Sequence, residues 1–135
     1  MSAVLVDAGP LIALLDRSDP HHDACKRAFA SNRDQLVTVW PAITEAAYLL
    51  STIDAQSALL QMIELDTPSV VLLQKDDVPR ITELMRKYAD LPMDLADAAI
   101  VRVAEREGIR RVITIDRKDF SVYRAKGLGK LTLLP

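Results

Sequence analysis

The chain has 135 residues, half of which are apolar, and a formal net charge of −2. This length and composition predict a single compact domain over residues 1–135 with a substantial core. No uncharged apolar run is long enough to span a membrane, and Asp7 and Pro10 interrupt the opening segment, so we expect neither a membrane span nor a signal peptide. The single cysteine, Cys25, cannot form an internal disulfide, which favours a reducing, cytoplasmic environment.

Short apolar runs alternate with helical segments along the whole chain. In chain order, we predict a strand at 3–7, a short helix after Gly9-Pro10, a helix at 20–31, a strand at 35–40, helices at 41–51 and 55–65, a strand at 69–74, helices at 77–89 and 92–107, and strands at 110–116 and 130–134. Asp54 and Asp76-Asp77 are predicted helix caps, and Gly108 is a predicted helix stop. The alternation predicts an α/β fold, a three-layer α/β/α sandwich with a mainly parallel sheet of four to five strands.

Two aspartates end apolar strands of this predicted sheet. Asp7 closes the run AVLVD, and Asp116 closes the run VITID. The carboxyl ends of parallel strands share one edge, where functional groups gather beside the point at which the strand order reverses. Each aspartate alone could equally be the first residue of a loop or a helix cap, but together they predict a site at this edge.

Three further acids lie in predicted helices with apolar surroundings. Asp97 is placed about two turns into its helix, where an unpaired carboxylate loses on the order of several kcal/mol of solvation unless a cation accompanies it. Asp94 lies in the first turn of the same helix, where capping is a sufficient explanation, and the helix dipole alone could explain Glu45. If these acids converge with the two strand-end aspartates, their repulsion requires a cation, and oxygen ligands favour Mg²⁺ or Mn²⁺.

The order of the acidic blocks resembles that of the PIN-domain ribonucleases, in particular the VapC-type toxins of toxin–antitoxin pairs. The blocks are VDAGPLIALL, TEAAYLL, LADAAIVRVAEREG and VITIDRKDF, and they occur in the family's order along essentially the whole chain. By position, the four acids of the family fall on Asp7, Glu45, Asp97 and Asp116. Thr114 matches the small polar residue of the T-x-D block, and Asp119 matches an additional acid of the family. Ala8-Gly9 departs from the family's pattern, because many relatives carry a hydroxyl residue after the first aspartate.

The resemblance implies a metal-dependent ribonuclease that leaves 5′-phosphate and 3′-hydroxyl ends. Asp7, Asp97 and Asp116 would bind Mg²⁺ (or Mn²⁺), and Glu45 would hold a second ion or orient the attacking water. Thr114 would orient Asp116 or a bound water, while Asp94 and Asp119 would lie at the margin of the site. The family also forms homodimers and binds an antitoxin that blocks the site. The apolar segments AITEAAYLL and SALLQMIEL could serve either partner, although burial in the core would explain them as well.

The last quarter of the chain is locally basic. Residues 102–135 hold nine of the 17 basic residues and four of the 19 acidic ones. Arg117 and Lys118 directly follow Asp116, so they are candidates for contacts with RNA phosphates, with solvated surface charge as the equal alternative. The larger aromatic side chains are too scattered to predict a base-stacking surface, and packing explains them more simply: Trp40, Tyr48, Tyr88 and Tyr123.

Two other functions stay open on the sequence alone. A phosphoryl-transfer protein of the receiver or haloacid-phosphatase type also places an aspartate at the end of its first strand. Such a protein usually needs a second acid beside that aspartate or a lysine at a later strand end, and Asp7 has no acidic neighbour while Asp116 stands where the lysine is expected. A non-catalytic PIN-like domain that only binds RNA or a protein would fit the same fold, but all four acidic positions are filled.

Overall fold

The computed structural model describes residues 2–135, so Met1, the first residue of the predicted domain, lies outside the described residues. The strands are β1 (Ala3–Val6), β2 (Gln35–Thr38), β3 (Ser69–Val70), β4 (Arg111–Ile113), β5 (Arg124–Ala125), β6 (Gly129–Lys130) and β7 (Thr132–Leu134). The helices are α1 (Ala8–Leu15), α2 (His22–Ser31), α3 (Trp40–Leu49), α4 (Ile53–Glu64), α5 (Val78–Lys87), α6 (Leu95–Glu107) and α7 (Arg117–Phe120), and a 3₁₀ turn at Lys75–Asp77 precedes α5. In the described residues, no helix is long and apolar enough to cross a membrane.

One parallel sheet has the strand order β3-β2-β1-β4-β7. Val4, Leu5 and Val6 of β1 are completely buried, and because successive side chains of a strand point to opposite faces, both faces of the sheet are covered. The α/β architecture and the parallel sheet of four to five strands predicted from the sequence are therefore confirmed. β2 and β4 flank β1, so the strand order reverses between β1 and β4, which is where open parallel sheets place their sites.

The carboxyl-terminal third differs from the sequence-based expectation in its details. The strand predicted at 110–116 ends at Ile113, because Asp116 begins the unpredicted helix α7. The strand predicted at 130–134 is divided between β6, which forms an antiparallel hairpin with β5, and β7, which pairs with β4. Strands of two residues carry no alternation that a sequence pattern could reveal.

The start of α6 corrects the predicted position of Asp97. The helix predicted from Pro92 begins at Leu95, because the Oδ1 atom of Asp94 accepts the backbone N–H of Asp97 at 2.8 Å and caps the helix. Asp97 therefore lies in the first turn, and its predicted depth of two turns was wrong. The end of the helix agrees with the prediction, since Gly108 follows it with a φ of 69°, a left-handed conformation that glycine adopts without strain.

Two other predicted helix caps were wrong. Thr52, and not Asp54, caps α4 by accepting the N–H of Ala55. Asp77 makes no side-chain cap to α5. Its carboxylate instead accepts the N–H of Gln74 at 2.8 Å and pairs with two arginines of α6.

The ion pairs around Asp77 join the 3₁₀ turn to α6. Arg102 lies 2.8 Å and Arg106 2.5 Å from the Asp77 carboxylate, which is 1% exposed. Burial would raise the pKa of Asp77, but the hydrogen bonds from Gln74 and Arg102 and the charges of both arginines hold it below its usual range. This cluster fixes the helix that carries two of the candidate site acids.

Replacing Asp77 with asparagine should destabilise the fold, because Arg102 and Arg106 lose their charged partner. We expect a loss of about 2 kcal/mol in the free energy of unfolding, the scale of a hydrogen bond to a charged group. Urea denaturation followed by circular dichroism measures the change. The neighbouring exposed residue Asp76 provides the control, because Asp76→Asn should stay within about 0.5 kcal/mol of the wild type.

Candidate active site

Asp7 is held between the first helix and the neighbouring strand. Its Oδ1 atom accepts the N–H of Ala8 at 2.8 Å, which caps α1, and its Oδ2 atom accepts the hydroxyl of Thr114 at 2.9 Å. The backbone N–H of Asp7 donates to the carbonyl of Ile113 at 3.0 Å and continues the pairing of β1 with β4. Burial raises the pKa of Asp7 to about 6, and the charges of Asp94 and Asp116 add to this effect. The hydrogen bonds from Ala8 and Thr114 lower the pKa but do not cancel the rise.

Thr114 connects Asp7 to Asp116. Its hydroxyl donates to Asp7 and accepts the backbone N–H of Asp116 at 3.0 Å. Asp116 caps α7 by accepting the N–H of Asp119 at 3.2 Å. Burial and the charges of Asp119 and Asp94 raise the pKa of Asp116. Both strand-end aspartates therefore lie at the carboxyl edge, as predicted, with Thr114 between them.

Gly9 allows α1 to approach this edge closely. A Cβ atom at Gly9 would lie 2.7 Å from the Cγ1 atom of Ile115, well inside van der Waals contact. Ile115 stands between Thr114 and Asp116, so a larger residue at position 9 would force the Ile115 side chain to move beside both of them.

Asp97 is partly buried, and its Oδ2 atom accepts the hydroxyl of Tyr123 at 3.0 Å. Burial raises the pKa of Asp97 to about 8, and the charges of Asp7 and Asp94 add to this effect. Burial and the charge of Asp97 also raise the pKa of the Tyr123 phenol, which therefore stays protonated as a donor. The sequence-based assignment of Tyr123 to packing alone missed this contact, because 26 residues separate the partners and no spacing indicates it.

Glu45 and Asp94 lie close together and line the same groove. The groove has a volume of about 560 Å³, and Trp40, Tyr48 and Leu95 line its apolar part. The pKa of Glu45 is raised to about 7. Partial burial is the largest cause, and the charges of Asp94 and Asp7 contribute less. Asp94, expected at the margin, thus lies near enough to act on every other acid of the group.

The group of acids has no basic partner within residues 2–135. The ion pairs found there involve a different set of acids: Asp34, Asp77, Glu105 and Glu107. Within the described residues, no three His, Cys, Asp or Glu side chains are already arranged to hold a metal ion together. The donor set is nevertheless made only of carboxylate oxygens, which suits Mg²⁺ or Mn²⁺, and Mg²⁺ usually keeps several waters and needs only one or two direct carboxylates. The residues therefore fit a hydrated divalent cation.

The two basic candidates after Asp116 differ in their surroundings. The Nη1 atom of Arg117 donates to the carbonyl of Pro135 at 2.7 Å, so this guanidinium anchors the end of the chain. Lys118 is exposed and lines a groove of about 770 Å³ together with Arg117 and Lys130. Lys118 is therefore more available than Arg117 to a phosphate.

The comparisons with known proteins agree with this fold. The PIN domain matches residues 4–126. The chain is 30% identical over 135 residues to ribonuclease VapC26 of Mycobacterium tuberculosis, an alignment that covers 98% of this chain and 100% of that protein. VapC20 of the same organism, a toxin that cleaves the sarcin–ricin loop, is similar in structure, with a TM-score of 0.80, 25% identity, and coverage of 96% of this chain and 98% of that one. A toxin–antitoxin complex from Klebsiella pneumoniae has the same fold, with a TM-score of 0.68, 21% identity, and coverage of 90% and 93%.

This chain belongs to the PIN-domain family, and the family resemblance inferred from the sequence is confirmed. Within the family it is similar to VapC-type ribonucleases over nearly its full length.

Without divalent cations, the stability of the protein should fall as the pH rises from about 4 to about 8. The folded state releases the protons of Asp7, Glu45 and Asp97 only near pH 6, 7 and 8, to which their pKa values are raised, whereas the unfolded chain has already released them near pH 4 and binds fewer protons over this range. Asp97→Asn should therefore raise the melting temperature at pH 8 in EDTA by a few degrees and flatten the pH dependence.

Thermal melts from pH 4 to pH 8 measure this effect, with Glu64→Gln, an exposed acid at the end of α4, as the control. Identical pH profiles for Asp97→Asn and the wild type would contradict the expected repulsion.

Proposed function

We propose that this protein is a ribonuclease that hydrolyses RNA phosphodiester bonds with the help of Mg²⁺ or Mn²⁺. The observation that carries the proposal is the group formed by Asp7, Glu45, Asp97 and Asp116, whose pKa values are raised and which has no basic partner within residues 2–135. Burying such a group is costly unless a cation neutralises it. The ribonuclease activity named for VapC26 and the RNA cleavage named for VapC20 support RNA as the substrate.

Each acid has a distinct part in the proposed reaction. Asp7, Asp97 and Asp116 would hold the metal, which would supply an activated water and neutralise the charge of the phosphoryl oxygens and the leaving alkoxide. Glu45 would hold a second ion or orient the attacking water. In-line attack leaves 5′-phosphate and 3′-hydroxyl ends.

Three polar neighbours support these acids. The hydroxyl of Thr114 positions both strand-end aspartates, because it donates to the carboxylate of Asp7 and accepts the backbone N–H of Asp116. Asp94 and Asp119 each contribute at the margin, the first through its charge and the second through its N–H to Asp116.

The alternative of a receiver-type or haloacid-phosphatase-type protein is less well supported. Asp7 is followed by Ala8 and by the helix it caps, so no second acid stands beside it in the chain. Membership of the PIN-domain family favours the nuclease, and the complete set of four acids favours an active enzyme over a domain that only binds RNA or protein.

We also propose that the protein is the toxin of a toxin–antitoxin pair, that residues 1–135 act as one cytoplasmic nuclease domain, and that it forms a homodimer. The toxin described for VapC20 and the complex from K. pneumoniae support the pairing. Apolar side chains on α3 and α4 are open to solvent, with Tyr48 85% and Ile53 73% exposed, which offers surface for an antitoxin or a second copy.

Asparagine at position 97 should remove the activity, because the amide carries no charge to hold a cation. Cleavage of a labelled single-stranded RNA in Mg²⁺ or Mn²⁺ should slow by more than about 100-fold, since loss of a supporting residue alone already costs 10- to 100-fold. Glu64→Gln should keep the wild-type rate, and the products should carry 5′-phosphates. RNA cleavage that is unchanged in Asp97→Asn or in EDTA would exclude the proposed site.

Alanine at position 118 should weaken RNA binding with little effect on the chemical step. We expect a higher KM and an unchanged kcat. The slope of log binding constant against log salt concentration should fall in magnitude by about 1, which corresponds to one lost phosphate contact. Salt titrations of RNA binding in Mg²⁺-free buffer measure the slope. Lys26→Ala, an exposed lysine on α2, is the control, and an equal effect of both variants would mean that binding follows net charge only.

A further inference from the structure

Tyr123 is a completely buried polar side chain that the proposed reaction does not use. Its hydroxyl donates to Oδ2 of Asp97 at 3.0 Å. Among the described residues, Oδ1 of Asp97 accepts no hydrogen bond from the protein. The phenol therefore occupies Oδ2 of Asp97 and leaves Oδ1 free of protein hydrogen bonds, in the group of acids that Asp97 forms with Asp7 and Asp94.

Aromatic packing holds the Tyr123 ring from two sides. Tyr88 lies edge-on to it, with ring centroids 5.0 Å apart, and Phe120 does the same at 5.1 Å. The hydroxyl of Tyr88 accepts the backbone N–H of Arg124 at 3.0 Å, and within the described residues it makes no hydrogen bond to Tyr123 or to an acid of the group. The hydroxyl of Tyr123 thus reaches Asp97 from a ring with little freedom to move.

The segment that carries Tyr123 also carries Asp116. Asp116 accepts the N–H of Asp119 through its side chain, and the carbonyl of Asp119 accepts the N–H of Tyr123 at 3.2 Å. The two hydrogen bonds run along residues 116–123. They connect Asp116, one candidate metal ligand, with Tyr123, the hydrogen-bond partner of Asp97. A single short segment therefore sets the position of Asp116 directly and that of Asp97 through Tyr123.

We propose that Tyr123 is a positioning residue of the active site: its hydroxyl fixes the carboxylate of Asp97 from α6 relative to Asp116 after β4. The proposal rests on the proposed function, because it assigns Tyr123 a part in holding a metal ligand. Without the hydroxyl, the Asp97 carboxylate rotates more freely and the ion must order it at binding. The loss then falls on metal affinity and on kcat, and not on the contacts that hold RNA.

The test compares Tyr123→Phe with Tyr88→Phe, which removes a buried hydroxyl from the same aromatic cluster without touching an acid. Isothermal titration calorimetry with MnCl₂ measures metal affinity in the absence of RNA, and initial rates on single-stranded RNA give kcat and KM. For Tyr123→Phe we expect Mn²⁺ affinity and kcat to fall by about 10- to 100-fold with KM within about twofold of the wild type. For Tyr88→Phe we expect both to stay within about twofold of the wild type. Melting temperatures show whether the two variants lose similar stability.

Three outcomes separate this inference from the proposed function. If the wild type binds Mn²⁺, Asp97→Asn abolishes binding, and Tyr123→Phe behaves like Tyr88→Phe, the positioning role is wrong and the proposed function stands. If the wild type neither binds Mn²⁺ nor cleaves RNA, both fail. If Tyr123→Phe loses Mn²⁺ affinity while its melting temperature matches that of Tyr88→Phe, the loss is one of positioning and not of folding.

Discussion

Repulsion among carboxylates at one edge of the sheet is the constraint on which the site depends. Like charges in a poorly solvated place separate unless their backbones are fixed, and in this protein the fixing is done by helix starts. Asp7 caps α1, Asp94 caps α6 and Asp116 caps α7. Capping and chemistry are therefore compatible explanations of these acids, because a cap uses one carboxylate oxygen and the second lies outside the cap, where in Asp7 it accepts the Thr114 hydroxyl.

The strand order explains why the acids meet where they do. β1 and β4 are neighbours at the centre of the sheet, so Asp7 and Thr114 follow adjacent strands and their side chains meet. The chain then leaves this edge in opposite directions, which opens space for α6 to bring Asp97 alongside. Further along α6, Arg102 and Arg106 form ion pairs with Asp77. The helix therefore carries paired charges away from the site, whereas Asp97, within the site, forms no ion pair in the described residues.

Features set by neighbours in sequence were predictable, and features set by distant contacts were not. The places of Asp7 directly after β1 and of Asp116 shortly after β4 follow from apolar runs, and the cap at Asp94 follows from its place before an apolar helix. A helix that starts at Pro92 places Asp97 too deep, because a capping Asp94 requires the helix to begin after it. The contact between Tyr123 and Asp97 depends on how α7 packs against α6, which no local pattern records.

The group of acids without a basic partner also affects how much of the protein accumulates in a cell. Without a bound cation, the crowded carboxylates of Glu45 and Asp97 lower the free energy of unfolding, so the metal-free chain folds more securely without them, whereas Asp7 and Asp116 also stabilise the fold as helix caps. Inactivating substitutions of Glu45 or Asp97 are then expected to increase the abundance of the metal-free protein, because degradation acts on the unfolded fraction. A high yield of purified protein is consequently poor evidence of an intact site, and selection for expression alone would favour inactive chains.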